Sequence, residues 1–368
     1  MSTTREPKTW NDGDQDLLIE MVKSIIPPLD SNSHKGQAGR IGVIGGSKEY
    51  TGAPYFSAIS ALRVGADLAH IFCSSTSSLV IKSYSPELIV HPHLYSPIYL
   101  HCRDDADAVE EISKWLPRLH SIVIGPGLGR DEKVLNVVKE IIAQIKVLDI
   151  PMVIDAVNNS DVDYEPMEND NETIDSYESD DVLSEHEDDG VMLFDDGIYM
   201  IQSDVGMITK VPDVILTPNC VEFERLYEKV LNRKPDIHNL SHEVKLLSIS
   251  LGNLTILCKG KVDIISDGQN IIECNAEGSP RRCGGQGDLL SGSLGVFIHW
   301  ARKAMRTEVK HQLLSHYGPT MTAAYAAALF TRKCNHLAFL EKGRSTLTSD
   351  MVNKICLAFH NLYGKSES

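Results

Sequence analysis

Apolar residues recur along this chain in two rhythms. Runs of four to six, at 41–44, 68–73, 121–124, 151–154 and 214–218, lie beside glycine, proline or asparagine and predict short buried strands. Other stretches space their apolar residues three and four apart, which predicts helices. Residues 10–29 do so through Leu17, Leu18, Met21, Val22, Ile25 and Ile26, and stop at Pro27 and Pro28. A small-residue helix follows the first strand through Ala53, Ser57, Ala58, Ser60, Ala61 and Gly65, and residues 131–147 predict another. Residues 255–258 and 262–266 predict a strand pair around Lys259, Gly260 and Lys261, and Asp267-Gly268 a hairpin turn into a strand at 271–274. Helices at 320–332 and 348–362 close the chain. Such alternation implies an α/β fold with a mostly parallel sheet covered on both faces. Ligands in such sheets bind beyond the carboxyl ends of the strands.

The richest turn runs through Gly278, Ser279, Pro280, Arg281, Arg282, Cys283, Gly284, Gly285, Gln286, Gly287 and Asp288. Three glycines in four positions let backbone N–H groups point inward together as an anion nest. Leu289, Leu290, Leu294, Phe297 and Ile298 then follow at helical spacing, so the glycines stand at a helix N-terminus, where phosphate is favoured. From the loop alone, Asp288 is either a helix cap or a group acting on what attacks the phosphate. Two further glycine turns follow predicted strands, one at Gly45, Gly46 and Ser47 and one at Gly125, Gly127 and Gly129. The first matches neither the P-loop nor the dinucleotide fingerprint. At 219–225 an Asn-x-x-Glu element opens a helix, with Glu222 either functional or a first-turn acid.

Charge changes the picture by its location. The 368 residues carry a net charge of −16, but residues 157–195 hold fifteen Asp or Glu and no Lys or Arg, leaving about −1 for the other 329. The near-neutral remainder argues against nucleic-acid binding, since it has no basic surplus to displace phosphate counterions. The acidic tract has too few apolar residues to repay ordering and is expected to be a disordered insertion within one domain spanning 1–368. No apolar run is long enough to span a membrane. The acid-containing first residues resemble neither a signal peptide nor an import sequence, so a cytoplasmic location is expected. Eight cysteines without a Cys-x-x-Cys pair read as reduced thiols, with no zinc site suggested.

The motifs KGQAGRIGVIGGS, YTGAPYFSA, IGPGLGR, VIDA with DGIY, TPNCVEFERL, KGKVD and GSPRRCGGQGD, in this order, resemble those of the ATP-dependent NAD(P)H-hydrate dehydratases. The resemblance runs from about residue 21 to 362, excluding the acidic tract. It implies a ribokinase-like three-layer α/β/α fold and the dehydration of the (S)-epimer of NADHX or NADPHX to NADH or NADPH, with ATP converted to ADP and phosphate. It implies that Lys259, Gly260, Lys261, Val262 and Asp263 hold ATP together with residues 278–287. Gly127, Asn219, Cys220, Val221, Glu222, Phe223, Glu224, Arg225 and Asp288 would line the hydrate site, with Asp288 as catalytic base. Mg2+ is expected with ATP, its ligands unassigned. Pairing with an NAD(P)HX epimerase goes with the family, and a homo-oligomer is compatible with it. Two other readings stay open: a ribokinase-like kinase of a vitamin precursor, and a nucleotide-binding protein inactivated by the insertion. The tract separates Asp155 and Ala156 from Asp196 and Gly197, splitting the family's Asp-Ala-Asp-Gly run at a strand end that should face the ligands.

Overall fold

The computed structural model describes residues 15–31, 34–94, 105–155, 200–201, 204–307 and 311–364. Nine strands form one sheet: β1 (Arg40–Ile44), β2 (Leu68–Ser74), β3 (Ile89–Leu94), β4 (Ser121–Ile124), β5 (Met152–Asp155), β6 (Val214–Thr217), β7 (Thr255–Cys258), β8 (Asp263–Ser266) and β9 (Ile271–Cys274). Their order is β3-β2-β1-β4-β5-β6-β7-β8-β9. The first seven strands run parallel, and β8 and β9 add antiparallel at one edge.

The two-residue strand period divides the core. Ile41, Val43, Ile71, Val123, Val153, Ile215 and Leu257 face one helical layer. Ile44, Phe72, Ile122, Ile124, Ile154, Leu216 and Ile256 face the other. The first layer contains α1 (Gln15–Ile25), α2 (Gly52–Val64), α8 (Gln286–Met305), α9 (Gln312–Lys342) and α10 (Thr348–Tyr363). The second contains α4 (Asp105–Ser113), α5 (Glu132–Val147), α6 (Cys220–Leu231) and α7 (Leu240–Ser250). A short α3 (Ser75–Tyr84) packs on β3. Because both faces are covered, strands β4 to β7 are buried at every position and mostly apolar, which is why they read as continuous runs.

The expected strands and helices are present, with corrections at several places. The run at 121–124 is the fourth strand, because β3 carries Pro92 and two histidines and offers no apolar run. Helices α3 and α7 were not foreseen either, being rich in serine at weak periodicity. The helix expected at 320–332 spans Gln312–Lys342 and is broken at Gly318, whose φ of 76° precedes Pro319. The Asp267-Gly268 turn belongs to a four-residue connection, since Ser266 pairs with Ile271. Residues 10–14 of the first expected helix, the acidic tract and the Ala156, Asp196 and Gly197 junction lie outside the described residues. Among the described residues no helix is long and apolar enough to cross a membrane.

Candidate active site

Parallel register brings distant residues to one sheet edge. Asp155, the last residue of β5, pairs with Thr217, the last of β6. Asn219 bridges to Lys259 just beyond β6 and β7, and Lys259 N donates to Pro218 O at 2.8 Å. Beside them the two foreseen glycine turns interlock, as Gly46 N and Ser47 N both donate to Gly127 O, at 3.0 and 2.8 Å. A side chain at Gly45 would lie 2.1 Å from Pro126 O, so the close approach needs glycine there.

The first turn of α8 completes the cluster. Gly285, with φ 91°, precedes the helix and gives no side-chain cap, so the N–H groups of its first turn carry the positive end of the dipole. Asp288 lies inside that turn and does not cap it, which removes the helix-cap reading. It is 1 % exposed, and its Oδ1 has no hydrogen-bond partner. Gly287 leaves room for its neighbours: a Cβ there would lie 3.4 Å from Lys259 Nζ and 4.0 Å from Asp155 Oδ2. Lys259 thus turns inward to Asp155 Oδ1, at 3.5 Å, instead of standing as a solvated hairpin lysine.

Two buried carboxylates and one ammonium set the electrostatics. Burial pushes Asp288 well above the usual carboxylate range, and the like charge of Asp155 adds to this, while Lys259 opposes it. Asp155 is raised by burial and held back by Lys259, then by Thr217, Ser291 and a hydrogen bond from Lys259. Its Oδ1 accepts from Thr217 Oγ1 at 2.6 Å, and its Oδ2 has no hydrogen-bond partner. Unsatisfied buried carboxylate oxygens at a helix N-terminus are costly in structural terms and suit a site that takes up a proton or an ion.

The expected residues divide by task. Asp263 is tied within the protein: Oδ1 accepts from Gly260 N and Oδ2 from Arg332, which also donates to Gly260 O and Ala276 O. Together they fix the turn carrying Lys259, while Lys261 is exposed and Val262 half-buried. In the 278–287 loop, Ser279 Oγ accepts from Arg281 N, and Arg281 O receives Gln286 Nε2 and Asn335 Nδ2. Arg281 Nε is buried without a hydrogen-bond partner, and Arg282 and Pro280 are exposed. Gly278 O is met by His336 Nδ1, Gly284 O accepts from Thr348 Oγ1 at 2.6 Å, and Cys283 Sγ lies 3.5 Å from that hydroxyl.

Within 219–225, Asn219 and Glu222 form a capping box, each side chain receiving the other's backbone N–H. The acid is therefore a structural cap, whatever else it contacts. Phe223 is buried in the second core with Tyr227, and Glu224 pairs with Lys234, so neither is brought to the cleft. Val221 is exposed, Arg225 half-buried, and Cys220 donates to Lys259 O at 3.3 Å. Asp155, Thr217 and Arg332 were not foreseen. The signal for Asp155 was present, an acid ending an apolar strand; Arg332 lies on α9 and gave none. A separate cleft of about 360 Å³, lined by Lys210, Asp213, Asn253, Asp267 and Thr320 among others, opens at the opposite end of β6 and β7 and holds none of the expected residues.

Comparison with known proteins places this arrangement among relatives. A family model described as NAD(P)H-hydrate dehydratase matches residues 41–174 and 169–357. An ATP-dependent (S)-NAD(P)H-hydrate dehydratase of Rattus norvegicus is 47% identical over 350 residues, 95% of this chain and 87% of that protein. The protein of the same name from Homo sapiens is 46% identical over 95% of this chain and 86% of its own. Among solved structures, a ribokinase-like superfamily protein from Enterococcus faecalis superposes with a TM-score of 0.62 at 17% identity, covering 98% of this chain and 100% of that one. An ADP/ATP-dependent NAD(P)H-hydrate dehydratase from Bacillus subtilis, co-crystallised with ATP and Mg2+, gives 0.58 at 18% identity over 94% and 97%.

Proposed function

The chain belongs to the NAD(P)H-hydrate dehydratase family, with a ribokinase-like α/β fold, and we infer from that premise that it is an ATP-dependent hydro-lyase. It returns the (S)-hydrate of NADH or NADPH to the reduced dinucleotide while ATP becomes ADP and phosphate. The observation supporting this at the site is Asp288, buried, without a partner at Oδ1, and set in the first turn of α8 behind Gly285.

Hydroxide leaves a ring carbon poorly and phosphate leaves well, so the reaction begins as a kinase reaction. Asp288 takes the proton of the ring hydroxyl as that oxygen attacks the γ-phosphorus and ADP departs. Elimination of the phosphate, with loss of a ring proton, then restores the double bond. The free N–H groups of the α8 first turn and Lys259 stabilise the charge of the transferring phosphoryl group. Arg281 and Arg282 suit the remaining phosphates.

Among the described residues no three His, Cys, Asp or Glu side chains are grouped to hold a metal by themselves. That fits an ion bound through one or two carboxylates and the nucleotide's own phosphates. Asp155, whose Oδ2 is buried and without a hydrogen-bond partner, is the residue suited to hold Mg2+. Held there, the ion would neutralise part of the charge that develops on the nucleotide's phosphates. Restriction to the (S)-epimer calls for a partner activity that interconverts the epimers.

The test is direct. Incubating the protein with the hydrate of NADH, ATP and Mg2+ is expected to release NADH, read by its absorbance. ATP consumed on some other alcohol, with no NADH formed from the hydrate, would return the protein to the kinase reading.

A further inference from the structure

Two thiols lie against the nucleotide turn, and the proposed reaction uses neither. Cys220 is the first residue of α6 and is exposed, whereas Cys258 ends β7 and is 2 % exposed. The bridge between Asn219 and Lys259 sets the residues following β6 beside those following β7, and Cys220 Sγ lies 3.8 Å from where a Cβ at residue 260 would stand, on the face that the two-residue strand period gives Cys258 as well. As a thiol Cys220 donates to Lys259 O at 3.3 Å, the carbonyl of the residue that follows Cys258. We propose that Cys220 and Cys258 are a peroxide-sensitive pair that closes reversibly to a disulfide across the two turns that carry Asn219 and Lys259.

The chemistry divides unequally between the two sulfurs. The hydrogen bond from Cys258 brings Cys220 down to about 7, against burial and the nearby Asp263 and with help from Arg282. Its place in the first turn of α6 favours the anion further. The same hydrogen bond raises Cys258 well above the usual thiol range, and burial adds to this. Cys220 is therefore the attacking sulfur and Cys258 the resolving one.

The Cys220 thiolate attacks one oxygen of a hydroperoxide, the O–O bond breaks, and hydroxide or alkoxide leaves, giving a sulfenic acid. The Cys258 sulfur, losing its proton, then displaces hydroxide from the Cys220 sulfur, and proton and hydroxide form water. Two thiols are oxidised by two electrons and the peroxide is reduced. The new bond ties the cap of α6 to the strand end that carries Lys259, so turnover falls until the disulfide is reduced.

The remaining described cysteines serve as internal controls: Cys73, Cys274 and Cys334 are buried, and Cys283 and Cys356 are accessible. The experiment treats the full chain with hydrogen peroxide and maps its peptides by mass without reduction. The expected result is a peptide joining residues 220 and 258, two hydrogens lighter than its parts and separated by dithiothreitol, with a matching reversible loss of turnover. In Cys258→Ser, dimedone is expected to trap a sulfenic acid at Cys220, and Cys258→Ala repeats this without a hydroxyl. Oxidation confined to Cys283 or Cys356, or oxidation at Cys220 that never links to Cys258, would overturn the proposal. The mass readout stands apart from the dehydratase reading, so failure of one leaves the other intact.

Discussion

At Asp288 burial and the charge of Asp155 act in the same direction, both holding the carboxyl protonated to higher pH than usual. A base must be ionised to accept a proton, so turnover is expected to rise with pH through this elevated value, giving an acid limb above the ordinary carboxylate range. Asp155→Asn removes the like charge and is expected to shift that limb to lower pH in kcat/KM, which reports the protein before nucleotide and Mg2+ bind. Lys259→Met removes the opposing cation and is expected to shift it upward. Position on the pH axis is the readout, since both variants also slow the reaction; an unmoved limb would sink the coupling. Asp288→Asn is expected to bind ATP while losing roughly 10²–10⁴-fold in turnover, the range for a general base. Full activity in that variant would remove Asp288 from the role. Asp288 was legible because its partners are its sequence neighbours, the glycines of one turn. Asp155 and Lys259 were harder to join, because only the register of three parallel strands brings residues so far apart in sequence together.

At the scale of elements, close helix packing and a histidine pair each leave a measurable trace. Helices α2 and α8 cross where Gly292 meets the backbone of Ser57, and a Cβ at 292 would lie 1.9 Å from Ser57 O. Alanine gains about 1 kcal/mol of helix propensity over glycine. The overlap is with backbone, however, and overpacking of this kind costs about 1–3 kcal/mol or more. The clash wins, and Gly292→Ala is expected to lower the melting temperature by a few degrees, read by calorimetry. On β2 and β3, His70 Nδ1 and His91 Nε2 lie 3.0 Å apart among Phe72, Trp115 and His93. Burial first, then His70, His93 and Lys82, bring His91 down to about 4; Arg40 and Arg118 also face His70. A depressed histidine binds fewer protons folded than unfolded, so its stability contribution is complete above the ordinary value of 6.5 and falls as pH drops toward 4. The shift corresponds to at most about 3 kcal/mol. His91→Gln is expected to flatten the fall in unfolding free energy between those two values; an unchanged slope would assign acid instability elsewhere. The same strand explains a gap in the sequence reading. Its side chains are histidine and proline where the other strands have valine and isoleucine, so periodicity had nothing to register.

For the whole molecule, the question is what the acidic stretch at 157–195 does to a fold assembled around it. The family model matches in two pieces, 41–174 and 169–357, which meet within that stretch. Strand β5 ends at Asp155, and the next described residues, Met200 and Ile201, are fully buried in the same core as Ile154 and Leu216. Strands β5 and β6 pair directly through Met152 and Val214 to Asp155 and Thr217, so their alignment needs nothing from the chain between them. The layered α/β order was legible because buried parallel strands announce themselves as apolar runs, whereas the path from Asp155 to Val214 carries no such pattern. Deleting 157–195 shortens this connection to about a third, which changes loop-closure entropy by only about 1 kcal/mol, in the stabilising direction. It also removes fifteen of the fifty-one acids and no Lys or Arg. The shortened protein is expected to keep its melting temperature within a few degrees, keep its turnover of the hydrate, and focus at a higher pH than the sequence value near 5.3. Turnover that appears only after the deletion would instead mark the stretch as an inhibitory element, acting from the loop that follows Asp155.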